Sequence, residues 1–133
     1  MPNNSNGGGL KLDQGKKQWY AMPLEVLELL ADVFAAGEKK YATFNCLSPF
    51  VDGDRRFFDA AMRHLKECQI NPLAIDAETG CFHGVQAAWN LLMRTYHAEK
   101  ERNMNACPEC DCKLQHSGNC RTCPACGWSS CNG

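Results

Sequence analysis

The sequence predicts an all-α fold: a small helical bundle followed by a C-terminal zinc ribbon. Three observations predict it. Apolar residues recur at helical spacing in three separate stretches, between Leu24 and Phe34, Phe57 and Cys68, and Phe82 and Leu92. Seven of the ten cysteines are crowded between Cys107 and Cys131. With 133 residues, the chain is one ordinary domain or a smaller one with an appendage. The expected division is a disordered Asn- and Gly-rich start at 1–9, a helical domain at 10–104 and a ribbon at 105–133.

The run Lys11 to Lys17 reads as a polar loop in which Lys16 and Lys17 can meet an anion, or simply face solvent. The first helix follows. Pro23 suits its first position and Gly37 its stop, and Leu24, Leu27, Leu30, Val33 and Phe34 make its apolar side. Glu25, Glu28 and Asp32 fall at i, i+3 and i+7 on another face, a stripe whose carboxylate oxygens suit Mg²⁺ or Mn²⁺ and which also describes a solvated face. Lys39 and Lys40 sit at the negative end of this helix beside Tyr41. A long loop from Ala42 to Gly53 then carries Asn45, and loops of this length are often functional.

The second helix is expected from Asp54 to about Ile70. Phe57, Phe58, Ala61, Met62, Leu65 and Cys68 form its buried side, and Arg56, Asp59, Arg63 and His64 its polar one. Asp59 and Arg63 have the spacing of an i, i+4 ion pair. Asn71-Pro72 breaks the helix. The most informative stretch is Asp76 to Asn90, an acidic turn running into a third helix expected from Cys81 to Arg102, with Thr79 as its N-cap. His83, Gln86 and Asn90 share one stripe of that helix, and Phe82, Val85, Ala88, Trp89 and Leu92 form the apolar remainder. Asp76, Glu78, His83 and Asn90 converging on one place suit a hard cation and a phosphate; the plainer reading is of capping acids and satisfied polar groups in a helix interface.

Cys107-Pro-Glu-Cys110 and Cys123-Pro-Ala-Cys126 are two Cys-x-x-Cys knuckles with twelve residues between them, a spacing that makes a tetrahedral four-cysteine zinc site easy to form. A unit this small has little core, so metal would supply most of its folding energy. The start of the chain lacks signal-peptide architecture, and no run reaches the roughly twenty apolar residues of a membrane span. The expected setting is therefore the cytoplasm, where clustered cysteines serve metals or redox chemistry rather than a disulfide framework. A net charge of −1 argues against broad nucleic-acid binding. Three short helices bury modest apolar surface alone, so a homo-oligomer is expected.

Five motifs in this order carry a family resemblance: Asp13-x-Gly15-Lys16; Pro23-Leu24-Glu25-x-Leu27-Glu28; Gly37-x-Lys39-Lys40-Tyr41 with Asn45; Asp59-Ala60-x-x-Arg63-His64; and Asp76-x-Glu78-Thr79-Gly80-x-x-His83 with Asn90. Residues 10–97 resemble the dATP/dGTP diphosphohydrolase family, found largely in bacteriophages and related to the all-α, MazG-like nucleoside triphosphate pyrophosphatases. The resemblance implies a metal-dependent enzyme that cleaves a purine deoxynucleoside triphosphate to monophosphate and pyrophosphate, in the host cytoplasm if phage-encoded. It implies catalytic roles among Glu28, Asp59, His64, Glu78 and His83, and Mg²⁺ or Mn²⁺ held by Glu25, Glu28, Asp76 and Glu78. Substrate binding falls to Lys16, Lys39, Lys40, Tyr41, Asn45, Arg63 and Asn90. Two departures stand out. Only the first half of the MazG-like acidic pairing is visible, as Glu25-x-x-Glu28, and Cys46 stands where many relatives carry Trp.

The run from Gly118 to Cys131 resembles the zinc-ribbon tail of cobalamin-dependent ribonucleotide reductases, which implies a redox or zinc-exchanging role for Cys131 with Cys120 or Cys112. Two other functions compete with the hydrolase. One is a non-catalytic adaptor whose ribbon docks on a nucleotide-metabolism or replication protein; the other is a thiol redox protein working through Cys120 and Cys131.

Overall fold

The computed structural model of the chain describes residues 8–131; residues 1–7 of the expected disordered start lie outside them. Three helices, α1 (Leu24–Lys40), α2 (Gly53–Cys68) and α3 (His83–Asn105), precede a two-stranded antiparallel ribbon of β1 (Gln115–Ser117) and β2 (Cys120–Thr122). The fold is thus mainly helical, with a cysteine cluster at its C-terminal end, as the sequence predicts.

Pro23 lies one position outside α1, and its carbonyl accepts the amides of Val26 and Leu27, so it starts the helix by supplying an acceptor. Gly37 does not stop α1. It keeps a helical backbone rather than a left-handed one, and its carbonyl accepts the Tyr41 amide at 3.0 Å, so the helix runs one turn further to Lys40.

Asp54 at the start of α2 meets Arg94 midway along α3, and His64 near the end of α2 meets His83 at the start of α3, so these two helices pack antiparallel. α1 packs more lightly, and mainly against α3. Val33, Phe57, Ala61, Cys81, Ala87 and Met93 form the apolar interior of the helical part, with Phe34 edge-on to Trp89 at 5.7 Å and Phe57 edge-on to Trp89 at 6.3 Å.

The expected apolar faces are only partly buried. Leu24 is 73% exposed, and Phe58, Met62 and Leu65, at i, i+4 and i+7 on α2, face outward as a continuous apolar stripe. On α3 the polar stripe takes the inner side: Gln86 and Asn90 are buried while Ala88 and Leu92 are exposed. Burying amides stabilises only if they are bonded, and both are: Asn90 Nδ2 donates to the Gln86 carbonyl at 2.8 Å, and Gln86 Nε2 donates to Asp76 Oδ2 at 3.2 Å.

Thr79 does not cap α3. The Asp76 to Cys81 segment folds as a tight turn, with the Asp76 amide donating to the Cys81 carbonyl and the Gly80 amide donating to the Asp76 carbonyl. Gly80 supplies the left-handed residue at φ +74°, which a side chain would strain. Thr79 Oγ1 accepts the Cys81 amide instead, and α3 starts at His83 after Phe82. Among the described residues, no helix is long and apolar enough to cross a membrane.

Candidate functional site

A cavity of about 660 Å³ opens between the C-terminal half of α1, the 42–52 loop, the first half of α2 and the middle of α3. Its walls divide by chemistry. Phe34, Phe57 and Trp89 make an aromatic floor, Tyr41, Phe44 and Phe50 border it, and Asn45 and Asn90 add amides. Arg55, Arg56 and Arg63 stand along α2 with Asp59 between them. Volume and composition are those of a small-molecule site. Guanidinium groups in a row suit phosphate oxygens, because each presents a planar fork of donors.

Local structure places these groups. The 42–52 loop is held by a short 3₁₀ turn at Asn45–Leu47 and by His97 of α3, whose Nε2–H donates to the Cys46 carbonyl at 2.7 Å. His97 also stacks on Phe57 at 5.5 Å, so one histidine fixes both a wall and the loop over it. Asp59 approaches Arg55 at 3.9 Å rather than pairing with Arg63 as its spacing suggests, which leaves Arg63 facing the cavity. Asp59 is weakly held because Arg55 bonds more closely to Asp52, at 2.6 Å.

Beside the cavity lies a second group. His64, Asp76 and His83 place one ligand atom each within 4.8 Å of one another, with the two Nδ1 atoms 2.9 Å apart. Burial and the neighbouring His83 hold the His64 pKa below its ordinary value. Burial raises Asp76, but the Glu78 amide, the Gln86 amide group and the two imidazoles outweigh it and hold its carboxyl below the usual range.

Of the residues expected to act on substrate or metal, the structure gathers Tyr41, Asn45, Asp59, Arg63 and Asn90 around the cavity, and His64, Asp76 and His83 at its border. It does not bring in the rest. Lys40 pairs with Glu78 at 2.7 Å on the exposed surface. Glu28 lies twelve residues before Lys40, about 18 Å along α1, and Glu25 lies further still. Glu25, Glu28, Asp76 and Glu78 therefore form no common shell in one chain, and this set does not fit Mg²⁺ or Mn²⁺. Lys39 is exposed, and Lys16 lines a separate hollow formed by residues between Lys11 and Ala21.

Phe34, Phe44, Phe50, Arg55, Arg56, Phe57 and Trp89 line the cavity without having been expected as site residues, and His97 supports them unforeseen. Only the two adjacent arginines Arg55 and Arg56, opening a helix next to a long loop, signalled any of this beforehand.

At the other end of the chain, Cys107, Cys110, Cys123 and Cys126 place their sulfurs within 4.8 Å of one another, an arrangement that can hold zinc. The Cys126 amide points at Cys123 Sγ and lowers its pKa to about 6, favouring the thiolate that a metal requires. Cys120 and Cys131 are joined in a disulfide outside this cluster, and Cys112 is an exposed free thiol.

A model described as dATP/dGTP diphosphohydrolase, N-terminal, matches residues 6–107. The chain belongs to the dATP/dGTP diphosphohydrolase family. The matched span includes all three helices and every residue of the cavity and of the histidine cluster, and it ends at the first ribbon cysteine. No match is found among curated proteins or among solved structures.

Proposed function

We propose that the chain hydrolyses a purine deoxynucleoside triphosphate to its monophosphate and pyrophosphate, with the cavity between α1, α2 and α3 as the substrate site. One observation carries this reading: in a member of the diphosphohydrolase family, a single cavity joins an aromatic floor to three arginines on one helix. A purine is a flat apolar plate edged with polar atoms. Phe34, Phe57 and Trp89 suit its faces, and the amides of Asn45 and Asn90 suit its edge. Arg55, Arg56 and Arg63 take the triphosphate and stabilise the negative charge that grows on the departing pyrophosphate. Asp59, set among them, accepts a proton from the attacking water.

The four-cysteine cluster serves as a structural zinc site. Among the described residues the ribbon's core is Cys107, Leu114 and Cys123 with Trp128 packed against it, so small that a bound metal would supply much of its stability. The working form is a homo-oligomer. The outward stripe of Phe58, Met62 and Leu65 on α2, together with the exposed Leu24, Val26 and Leu29 on α1, offers apolar surface that association would cover. Light scattering after size exclusion reads this directly: Met62→Glu is expected to lower the mass, and a monomeric unmodified chain would remove the claim.

To test the activity, each of dATP, dGTP, dCTP and dTTP is incubated with the full chain, and products are separated by anion exchange. The expected result is purine-selective release of monophosphate and pyrophosphate, lost in Asp59→Asn. Survival of every nucleotide, while a known pyrophosphatase works under the same conditions, makes the helical part a binding module instead.

A further inference from the structure

Two imidazoles that meet nitrogen to nitrogen beside a carboxylate are either sharing a proton or facing a metal ion. His64 comes from α2, Asp76 from the turn and His83 from α3, and their ligand atoms converge although the three are widely spaced in sequence. The separation of the two Nδ1 atoms is 2.9 Å. Two nitrogens each about 2.1 Å from one ion and at a right angle across it lie about 3 Å apart.

The carboxylate is oriented as a ligand would be. Its Oδ1 accepts the Glu78 amide at 2.9 Å, and its Oδ2 accepts Nε2 of Gln86, a side chain only 6% exposed. Outer hydrogen bonds of this kind hold a metal-binding carboxylate in place. The His83 amide is tied to the Ala74 carbonyl at 2.9 Å, which fixes the start of α3 against the same turn.

We propose that His64, Asp76 and His83 form a site for a first-row transition-metal dication. Two imidazole nitrogens and one carboxylate oxygen suit Mn²⁺, Co²⁺, Ni²⁺ or Zn²⁺ better than Mg²⁺, which prefers oxygen throughout. Three protein ligands leave further positions open to water or to a ligand oxygen. The site adjoins the cavity along the chain: Arg63 precedes His64, Asn90 follows Gln86 by one turn of α3, and both Arg63 and Asn90 line the cavity. That the ion acts on the triphosphate rests on the function proposed above; its binding does not.

Co²⁺ added to the zinc-loaded full chain tests the site without any nucleotide. The expected result is one further equivalent of Co²⁺, with visible absorption but without the sulfur-to-cobalt bands that occupation of the cysteine cluster would give. A hundredfold excess of Mg²⁺ is expected to leave it bound. Gln86→Leu is expected to weaken binding about tenfold and His83→Ala more than that. Absence of the extra equivalent, its persistence in a folded His83→Ala chain, or its displacement by equimolar Mg²⁺ overturns the proposal. If His83→Ala loses its helical circular dichroism, pulsed EPR of the Mn²⁺-loaded natural chain decides. Nitrogen couplings from imidazole support the site, and their absence overturns it.

Discussion

His97 Nε2–H donates to the carbonyl oxygen of Cys46 at 2.7 Å, joining α3 to the loop that closes one side of the cavity across 51 residues of sequence. Because the same ring stacks on Phe57, its loss would loosen both. His97→Ala is expected to cost about 1–3 kcal/mol of stability, because it removes ring packing on Phe57 and leaves a part-buried acceptor without its donor. Urea denaturation reads that cost. Faster proteolysis between Ala42 and Asp52 is the accompanying sign.

Arg63 and Glu78 separate two ideas of where the substrate sits. Arg63 lines the cavity, whereas Glu78 is tied to Lys40 in a pair whose side chains are 54% and 66% exposed. A charge-assisted bond to phosphate contributes about 1.5–3 kcal/mol, so Arg63→Ala is expected to weaken dGTP binding at least tenfold. Glu78→Gln breaks only a solvent-screened surface pair and is expected to leave binding within about threefold. Calorimetric titration distinguishes them, and equal losses would move the phosphates toward the Asp76 turn.

Trp89 contributes aromatic area to the floor, yet its buried indole N–H has no hydrogen-bond partner among the described residues. An unpaired buried donor costs about 1–3 kcal/mol, which offsets part of the packing lost when the ring shrinks. Trp89→Phe is therefore expected to change stability by less than about 1.5 kcal/mol, against about 3–5 kcal/mol for Phe57→Ala. Thermal and urea unfolding of both variants check the contrast.

Removing zinc is expected to unfold one end of the molecule and spare the other. The ribbon's core is built on Cys107 and Cys123 of the proposed zinc site, whereas the helical core uses none of those cysteines. A strong chelator should collapse the amide signals of residues 107–131 in a heteronuclear NMR spectrum and leave those of α2 and α3 in place. Loss of helical signals in step would show that the two parts depend on one metal.

Much of the architecture was legible because helical periodicity and Cys-x-x-Cys spacing are local signals. The three helices and the cysteine cluster follow from residues a few positions apart. What was not legible depends on which face meets which. Leu24, Phe58, Met62 and Leu65 look like core by pattern and stand outside, while Gln86 and Asn90 look like surface and are buried, because the turn at Asp76 supplies the bonds that make burying them tolerable. The spacing of Asp59 and Arg63 suggested an ion pair, but Arg55, one turn on the other side, is the cation nearer the carboxylate. Gly37 resembled a stop, yet a helical glycine differs from a terminating one only in φ. The cavity's aromatic wall drew residues from α1, a loop, α2 and α3, and such convergence leaves no local trace.

The central claim is that the cavity holds the nucleotide, and the most direct measurement is a crystal structure of the full chain with a non-hydrolysable α,β-methylene analogue of dGTP. The account predicts the purine against Phe34, Phe57 and Trp89, with the phosphates reaching Arg55, Arg56 and Arg63. A nucleotide bound instead in the hollow between Lys11 and Ala21, or at the Asp76 turn with the aromatic cavity empty, would contradict it.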